Sequence, residues 1–275
     1  MNRSIQLKQL LNSKETLVMP DAYDPLSARI IEQAGFKAVQ CSGYSFSLAA
    51  CRKQEIDIGL AENLALTAAI VQAVSVPVMA DGEDGFGGVE QISKTIEGYV
   101  KIGAAGVNLE DQVLDGQPGA RVLDAGLMQE KIRAAKRAAK TAGNPYLVIN
   151  GRTDALRTFP SKKDGLAEAV RRGNLYLEAG ADLVFVTAVC TLEEVRVLVK
   201  EIKGPVSIAA GLGNNIQAFS INDLKECGVA RVSLPTVAIC ATIKALMGAC
   251  EVVKRGCSRR SCKRDGCAVA RTLDG

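Results

Sequence analysis

Four times in this chain a helical stretch meets a glycine and then runs directly into a β-rich segment: Ala34-Gly35-Phe36, Ile102-Gly103-Ala104, Ala179-Gly180-Ala181 and Cys227-Gly228-Val229. Glycine suits a helix C-terminus, where the left-handed backbone carries no Cβ penalty. Read outward from this cue, alternation and apolar runs predict strands over 17–20, 38–42, 76–80, 106–110, 146–151, 183–187, 206–209 and 231–234. Amphipathic helical patterns lie near 25–34, 61–74, 89–102, 126–142, 165–179, 192–200, 221–227 and 236–254. Such a series of strand–helix units predicts an α/β architecture, a (β/α)8 TIM barrel with its active site at the strand C-terminal ends. A doubly wound open sheet is the alternative. It is disfavoured because MPDAYDPLS, after the first strand, lacks the glycine-rich dinucleotide fingerprint, and the GLGNN turn at 211–215 matches it only in part.

Of the 275 residues, 48% are hydrophobic, enough for one barrel domain over 1–255. The remaining 256–275 form a basic tail carrying Cys257, Cys262 and Cys267, with no zinc-site spacing, and disorder is expected there. A net charge of +4 is too small to imply nucleic acid, and the basic pattern Lys131, Arg133, Lys136, Arg137, Lys140 reads as a solvated outer face. There is no membrane-length apolar span, and MNRSIQLKQLLNSKE lacks a signal-peptide core, so a cytoplasmic protein is expected. The chain has no histidine, which excludes Ser-His-Asp and Cys-His catalysis, His-ligated zinc and a histidine base. Cys41, Cys51, Cys190, Cys227, Cys240 and Cys250 are scattered singly, as small buried residues in a reducing compartment would be.

The chemistry points to VMADGEDGFGG, 78–88, where an apolar run ends on Asp81, Glu83 and Asp84 among four glycines. One reading is a polar strand-to-helix loop. The other is a divalent metal, since clustered ionised carboxylates are costly without a cation and oxygen ligands favour Mg2+ or Mn2+. In a barrel the strand-end residues Asp21, Ser42, Asp81 with Glu83, Glu110 with Asp111, Arg152 with Asp154, and Thr187 share one face. Asp81 and Glu110 then reach one metal ion, and Arg152 is placed to hold a carboxylate or phosphonate bidentately. A ring of salt bridges around Arg152 is the structural alternative, but acids outnumber bases in this set. A metal beside such an arginine suits an enolate of an α-oxo acid, with Ser42-Gly43-Tyr44 offering backbone N–H donors.

The motifs MPDAYDPLSARIIEQAGF, CSG, DGEDGFGG, VNLEDQ and NGRTDA, in this order from about Leu17 to Lys254, resemble the isocitrate lyase and phosphoenolpyruvate mutase superfamily. The resemblance implies a (β/α)8 barrel whose last helix is exchanged between subunits of a homodimer or homotetramer. It also implies Mg2+ and a small-molecule oxo acid or its enolate as ligand. By position, Asp81, Glu83 and Glu110 match the acidic metal-site residues, Arg152 the substrate arginine, Ser42 and Gly43 the carboxylate-binding turn, and Asp57 the aspartate that follows it. Departures narrow the activity. The lyase signature Lys-Lys/Arg-Cys-Gly-His is replaced by QVLDGQPGARVLD, which has neither cysteine nor histidine; Gln40 stands where lyases and mutases place an aromatic residue, and Thr187 where lyases often have glutamate.

The reading is a Mg-dependent lyase or decarboxylase acting on a small 2-oxo or 2-hydroxy (di)carboxylic acid through a pyruvate-type enolate. Asp81, Glu83 and Glu110 hold metal; Ser42, Gly43, Tyr44, Arg152 and Thr187 hold substrate. Arg152, Tyr44 and Asp57 are the candidate catalytic residues, with Tyr44, Asp57 or a metal-bound water for proton transfer and Gln117 or Arg121 covering the ligand. The alternatives are a phosphoenolpyruvate or carboxyphosphonoenolpyruvate mutase, and a non-catalytic oxo-acid-binding homologue.

Overall fold

The computed structural model describes residues 2–113, 119–213 and 215–255. Among these, eight parallel strands close into a barrel in chain order. They are β1 (Leu17–Ala22), β2 (Val39–Cys41), β3 (Val78–Asp81), β4 (Gly106–Glu110), β5 (Val148–Thr153), β6 (Leu183–Val186), β7 (Val206–Ala209) and β8 (Arg231–Leu234). The helices are α1 (Arg3–Leu11), α2 (Pro25–Gln33), α3 (Gly43–Ala49), α4 (Leu60–Ala73), α5 (Val89–Lys101), α6 (Ala125–Thr141), α7 (Lys162–Glu178), α8 (Leu192–Glu201), α9 (Ile221–Glu226) and α10 (Val237–Lys254). The (β/α)8 expectation is met. The glycine cue holds as well, with Gly35, Gly103, Gly180 and Gly228 at φ between 79° and 105°.

Three strands end later than expected, which matters for the site: β3 by one residue, at Asp81, and β1 and β5 by two. β1 continues through Asp21 and Ala22 because these pair with Gln40 and Cys41 of β2. β5 starts and ends two residues later, so Arg152 lies within the strand, opposite Glu110 and Phe185. Helix starts follow local chemistry: Asp24 precedes Pro25 and caps α2, and Thr191 with Glu194 forms a capping box on α8.

Helix α1 was not anticipated. Its Leu7 and Leu11 pack with Leu17, Met19, Ala38, Met79, Ala105, Val148 and Leu183, while Arg3 donates to the Val71 and Val74 carbonyls at the end of α4. Outward residues of the strands form the main apolar layer, as where Ala80, Val107, Leu109 and Ile149 meet Ile92, Ile96, Met128 and Ile132 of α5 and α6. Inward positions mix apolar side chains, such as Met19, Met79 and Leu183, with polar ones. Asn150 donates to Asn108 at 2.7 Å, and Asn108 donates to Asp81 at 3.1 Å.

The cysteine expectation needs correction: Cys41 is buried, but Cys51, at the end of α3, and Cys240 and Cys250, on α10, are exposed. All six described cysteines are free. Gln117, Asp115 and the tail 256–275 lie outside the described residues. No described helix is long and apolar enough to cross a membrane.

Candidate active site

β3 delivers Asp81 to the C-terminal rim, and the turn behind it is fixed by close approach. A Cβ on Gly82 would lie 2.6 Å from Val107 Cγ1 and 2.8 Å from the Asn108 carbonyl oxygen, which accepts the Gly82 N–H at 2.8 Å. Glu83 takes φ 48°, a left-handed conformation uncommon for glutamate, and its carbonyl accepts the Glu110 N–H at 2.9 Å. Its side chain is thereby turned inward and is only 7% exposed. Asp84 faces the other way, toward Lys131, whose Nζ donates to the Asp84 carbonyl at 2.6 Å. Lys131 is therefore not part of a solvated basic face; it is 3% exposed and ties α6 to this turn.

Three carboxylates converge at the rim. Oxygens of Glu55, Asp81 and Glu83 lie within 4.8 Å of one another. Asp81 is pre-oriented: Oδ2 accepts the Gly43 N–H at 3.0 Å and Oδ1 the Asn108 amide. Glu83 Oε2 is buried with no hydrogen-bond partner. A Cβ on Gly43 would fall 1.8 Å from Glu83 Oε1, so the carboxylate reaches that position only because residue 43 is glycine. An orphaned buried oxygen in an all-carboxylate donor set fits a hard divalent cation.

The electrostatics agree. Burial, and then Asp81, push the Glu55 carboxyl up to about 7. Burial, then Asp81 and Glu110, raise Glu83 well above the usual carboxylate range. For a raised carboxyl, the stability contribution is full below its unfolded value, here 4.5, and is lost as pH rises through the folded value, about 7 for Glu55. A cation bound by the ionised cluster opposes that loss. Thermal melts in EDTA are expected to fall from pH 5 to pH 8, and Mg2+ is expected to raise Tm more at pH 8 than at pH 5. At a hundredfold excess over Kd the gain is about 2.7 kcal/mol, several degrees for a chain of this size. An Mg2+ shift equal at both pH values would count against the cluster as a metal site.

Arg152 stands beside the cluster in a closed set of partners. Nε donates to Asp154 at 2.8 Å, Nη2 to Gln112 at 2.8 Å and to Asp154 at 3.3 Å, and Nη1 meets Glu110 at 2.5 Å. Against the upward push of burial, Arg152 holds Asp154 below the usual carboxylate range. The salt-bridge ring and the surplus of acid are thus both present.

A cavity of about 600 Å³ opens over these residues, lined by Ser42, Tyr44, Glu55, Asp81, Arg152, Thr187 and Arg231, among others. Ser42 caps α3 by accepting the Ser45 N–H, so Ser42-Gly43-Tyr44 begins a helix rather than a simple turn. The Gly43 N–H is committed to Asp81. Tyr44 is half exposed, and Thr187 Oγ1 donates to Asp154 at 2.8 Å. Glu83 and Glu110 are buried and do not line the cavity. Asp57 is not brought to the site: it is exposed and its carboxylate accepts the Gln54 N–H at 3.0 Å. Glu55, two residues earlier on the same 3-10 turn, enters instead. The resemblance points to Asp57, and nothing in the sequence signals that the turn would point Glu55 inward instead.

The family model described as phosphoenolpyruvate phosphomutase matches residues 7–254. The chain belongs to that family. It is 34% identical over 251 residues to 2,3-dimethylmalate lyase of Eubacterium barkeri, covering 90% of this chain and 84% of the relative. Identity to the chloroplastic carboxyvinyl-carboxyphosphonate phosphorylmutase of Arabidopsis thaliana is 33% over 258 residues, covering 92% and 75%. A crystal structure of phosphonopyruvate hydrolase in complex with oxalate and Mg2+ superposes with a TM-score of 0.83 at 27% identity, covering 94% of this chain and 89% of that one.

Proposed function

We propose that the chain is a Mg2+-dependent lyase or decarboxylase acting on a small 2-oxo or 2-hydroxy acid through a pyruvate-type enolate. The observation that carries this is Glu83 Oε2, buried without a partner where Glu55 and Asp81 converge. These three carboxylates would hold the ion, with Glu110 adding negative charge behind them. When bound, the ion would stabilise negative charge developing on the 2-oxo oxygen.

The chain's own groups do the rest. Arg152, fixed by Asp154, Glu110 and Gln112, presents positive charge to the substrate carboxylate. Asn108 and the Gly43 amide keep Asp81 oriented, and Thr187 keeps Asp154 in place. Tyr44, half exposed at the cavity wall, is the side chain proposed for proton transfer. The likeness to dimethylmalate lyase supports the lyase reading, and the likeness to the plant phosphorylmutase keeps a second one in play. Turnover of a panel of 2-hydroxy and 2-oxo acids, with and without EDTA, tests the first. Phosphorus NMR with phosphonopyruvate separates the second, since only a mutase converts the phosphonate signal into a phosphate ester.

Helix α10 is proposed to be exchanged between subunits. Of its residues only Ile239 is buried, while Val237, Ile243, Leu246, Met247 and Val253 are exposed. Each such side chain gains about 1.5–3 kcal/mol on burial, so an uncovered face of this kind favours assembly. Light scattering is expected to give a dimer or tetramer of the 29.0 kDa chain, and Leu246→Glu with Met247→Glu a monomer. A monomeric wild-type protein would refute the exchange.

A further inference from the structure

Arg231 is a buried cation that the proposed chemistry leaves unused. It stands on β8 with its side chain inside the barrel, 3% exposed, and it lines the cavity. Nη1 donates to Ser207 Oγ at 3.2 Å, and Nη2 donates to Gln40 Oε1, whose amide in turn donates to Ser233 Oγ at 2.9 Å. Nε is buried with no partner. Among the described residues no carboxylate pairs with Arg231, and burial pulls its guanidinium down to about 10.

The contrast with Arg152 is informative. Arg152 is ringed by two carboxylates and an amide, so nearly all its donors are used. Arg231 uses two of a guanidinium's five N–H donors, and both go to neutral groups. A buried charge without a paired counter-ion is costly; among the described residues no carboxylate forms an ion pair with Arg231, and the charge of Asp81 only partly offsets its burial. Gln40, Ser207 and Ser233 nevertheless hold it in place at the cavity wall. Phe185 links the two cations: the Arg152 guanidinium carbon lies 5.8 Å from its ring centroid and that of Arg231 5.7 Å. A short ligand held near Arg152 and the acidic cluster is therefore within reach of Arg231.

We propose that Arg231 is a specificity-determining residue that binds a second anionic group, the distal carboxylate of a diacid whose 2-oxo end sits at Glu55, Asp81 and Glu83. This deepens the function proposed above and rests on that reading. Gln40 is then the residue that orients the arginine. A monoacid leaves the Arg231 charge unpaired, so the site discriminates by chain-end charge.

Calorimetry on the Mg2+-loaded protein tests this with two probes of equal chain length, 2-oxoglutarate and 2-oxopentanoate, which differ in the distal carboxylate. The wild-type protein is expected to prefer the diacid by about tenfold or more. Arg231→Met is expected to bring the two affinities together while leaving 2-oxopentanoate nearly unchanged, and Arg231→Lys to retain part of the preference. A wild-type protein without preference overturns the inference, whatever the variants do. A preference that survives Arg231→Met in a folded variant also overturns it. Oxalate, which is short enough to occupy only the metal end, separates this from the underlying reading. Mg2+-dependent oxalate binding without diacid preference sinks Arg231 alone. Oxalate binding that ignores Mg2+ sinks the metal reading, and the diacid ratio still decides Arg231.

Discussion

Asp81→Ala is expected to lower kcat/KM about a thousandfold and to abolish Mg2+-dependent oxalate binding while the barrel stays folded. Asp81 is the member of the acidic cluster that both lines the cavity and is held from two sides, by the Gly43 N–H and by Asn108. Removing it leaves Glu55 and Glu83 without the third oxygen donor and relieves part of the repulsion that raises both carboxyls. Lewis-acid stabilisation is worth several kcal/mol, and each 1.36 kcal/mol is a factor of about ten in rate, hence the magnitude. The folded state should tolerate the change, because a like-charge neighbour of Glu83 disappears. Initial rates on whichever acid of the panel is turned over, with a melt as control, give the answer. Turnover of the variant at the wild-type rate would remove the metal from the mechanism.

How much of this was legible beforehand depended on whether a residue's role was set by chain direction or by a local twist. The four glycines before strands announced the repeat, since a left-handed helix end needs them, and the repeat fixed the barrel. Asp81 and Arg152 were legible for the same reason: strand C-terminal ends face one side. Asp57 and Glu55 were not. They share one 3-10 turn, and a rotation of that turn decides which acid faces the cavity and which faces water. Helix α1 was hidden because Leu7 and Leu11 are too few to signal a helical face, though they seal the strand N-terminal layer. Arg231 carries no such signal, because it opens a short strand at the end away from the C-terminal rim, where the pattern reads only as alternation. Its inward side is set by the pairing of β8 with β1 and β7.

Asp111→Ala is expected to destabilise the protein by about 3–5 kcal/mol, the cost of breaking a buried ion pair from one side. Asp111 follows Glu110, and strand alternation sends it to the opposite face of the barrel wall, away from the cavity. There it is fully buried and accepts four donors: Thr153 Oγ1 at 2.7 Å, Tyr176 Oη at 2.6 Å, Arg172 Nη1 at 3.1 Å and the Asp154 N–H at 2.9 Å. Alanine leaves the largely buried Arg172 with only Glu168, the Leu123 carbonyl and the Tyr176 oxygen. At roughly 2–4 °C per kcal/mol for chains of this size, Tm should drop by about 10 °C. The double variant Asp111→Ala with Arg172→Met should be less destabilised than the sum of the singles, since the Arg172–Asp111 contact is lost once rather than twice. The same carboxylate fixes the Asp154 backbone, and Asp154 holds Arg152, so residual turnover should show a raised KM. A cost under about 1 kcal/mol would mean that water reaches Arg172 in place of the carboxylate, and the wall between α7 and β5 would then be looser than its hydrogen bonds indicate.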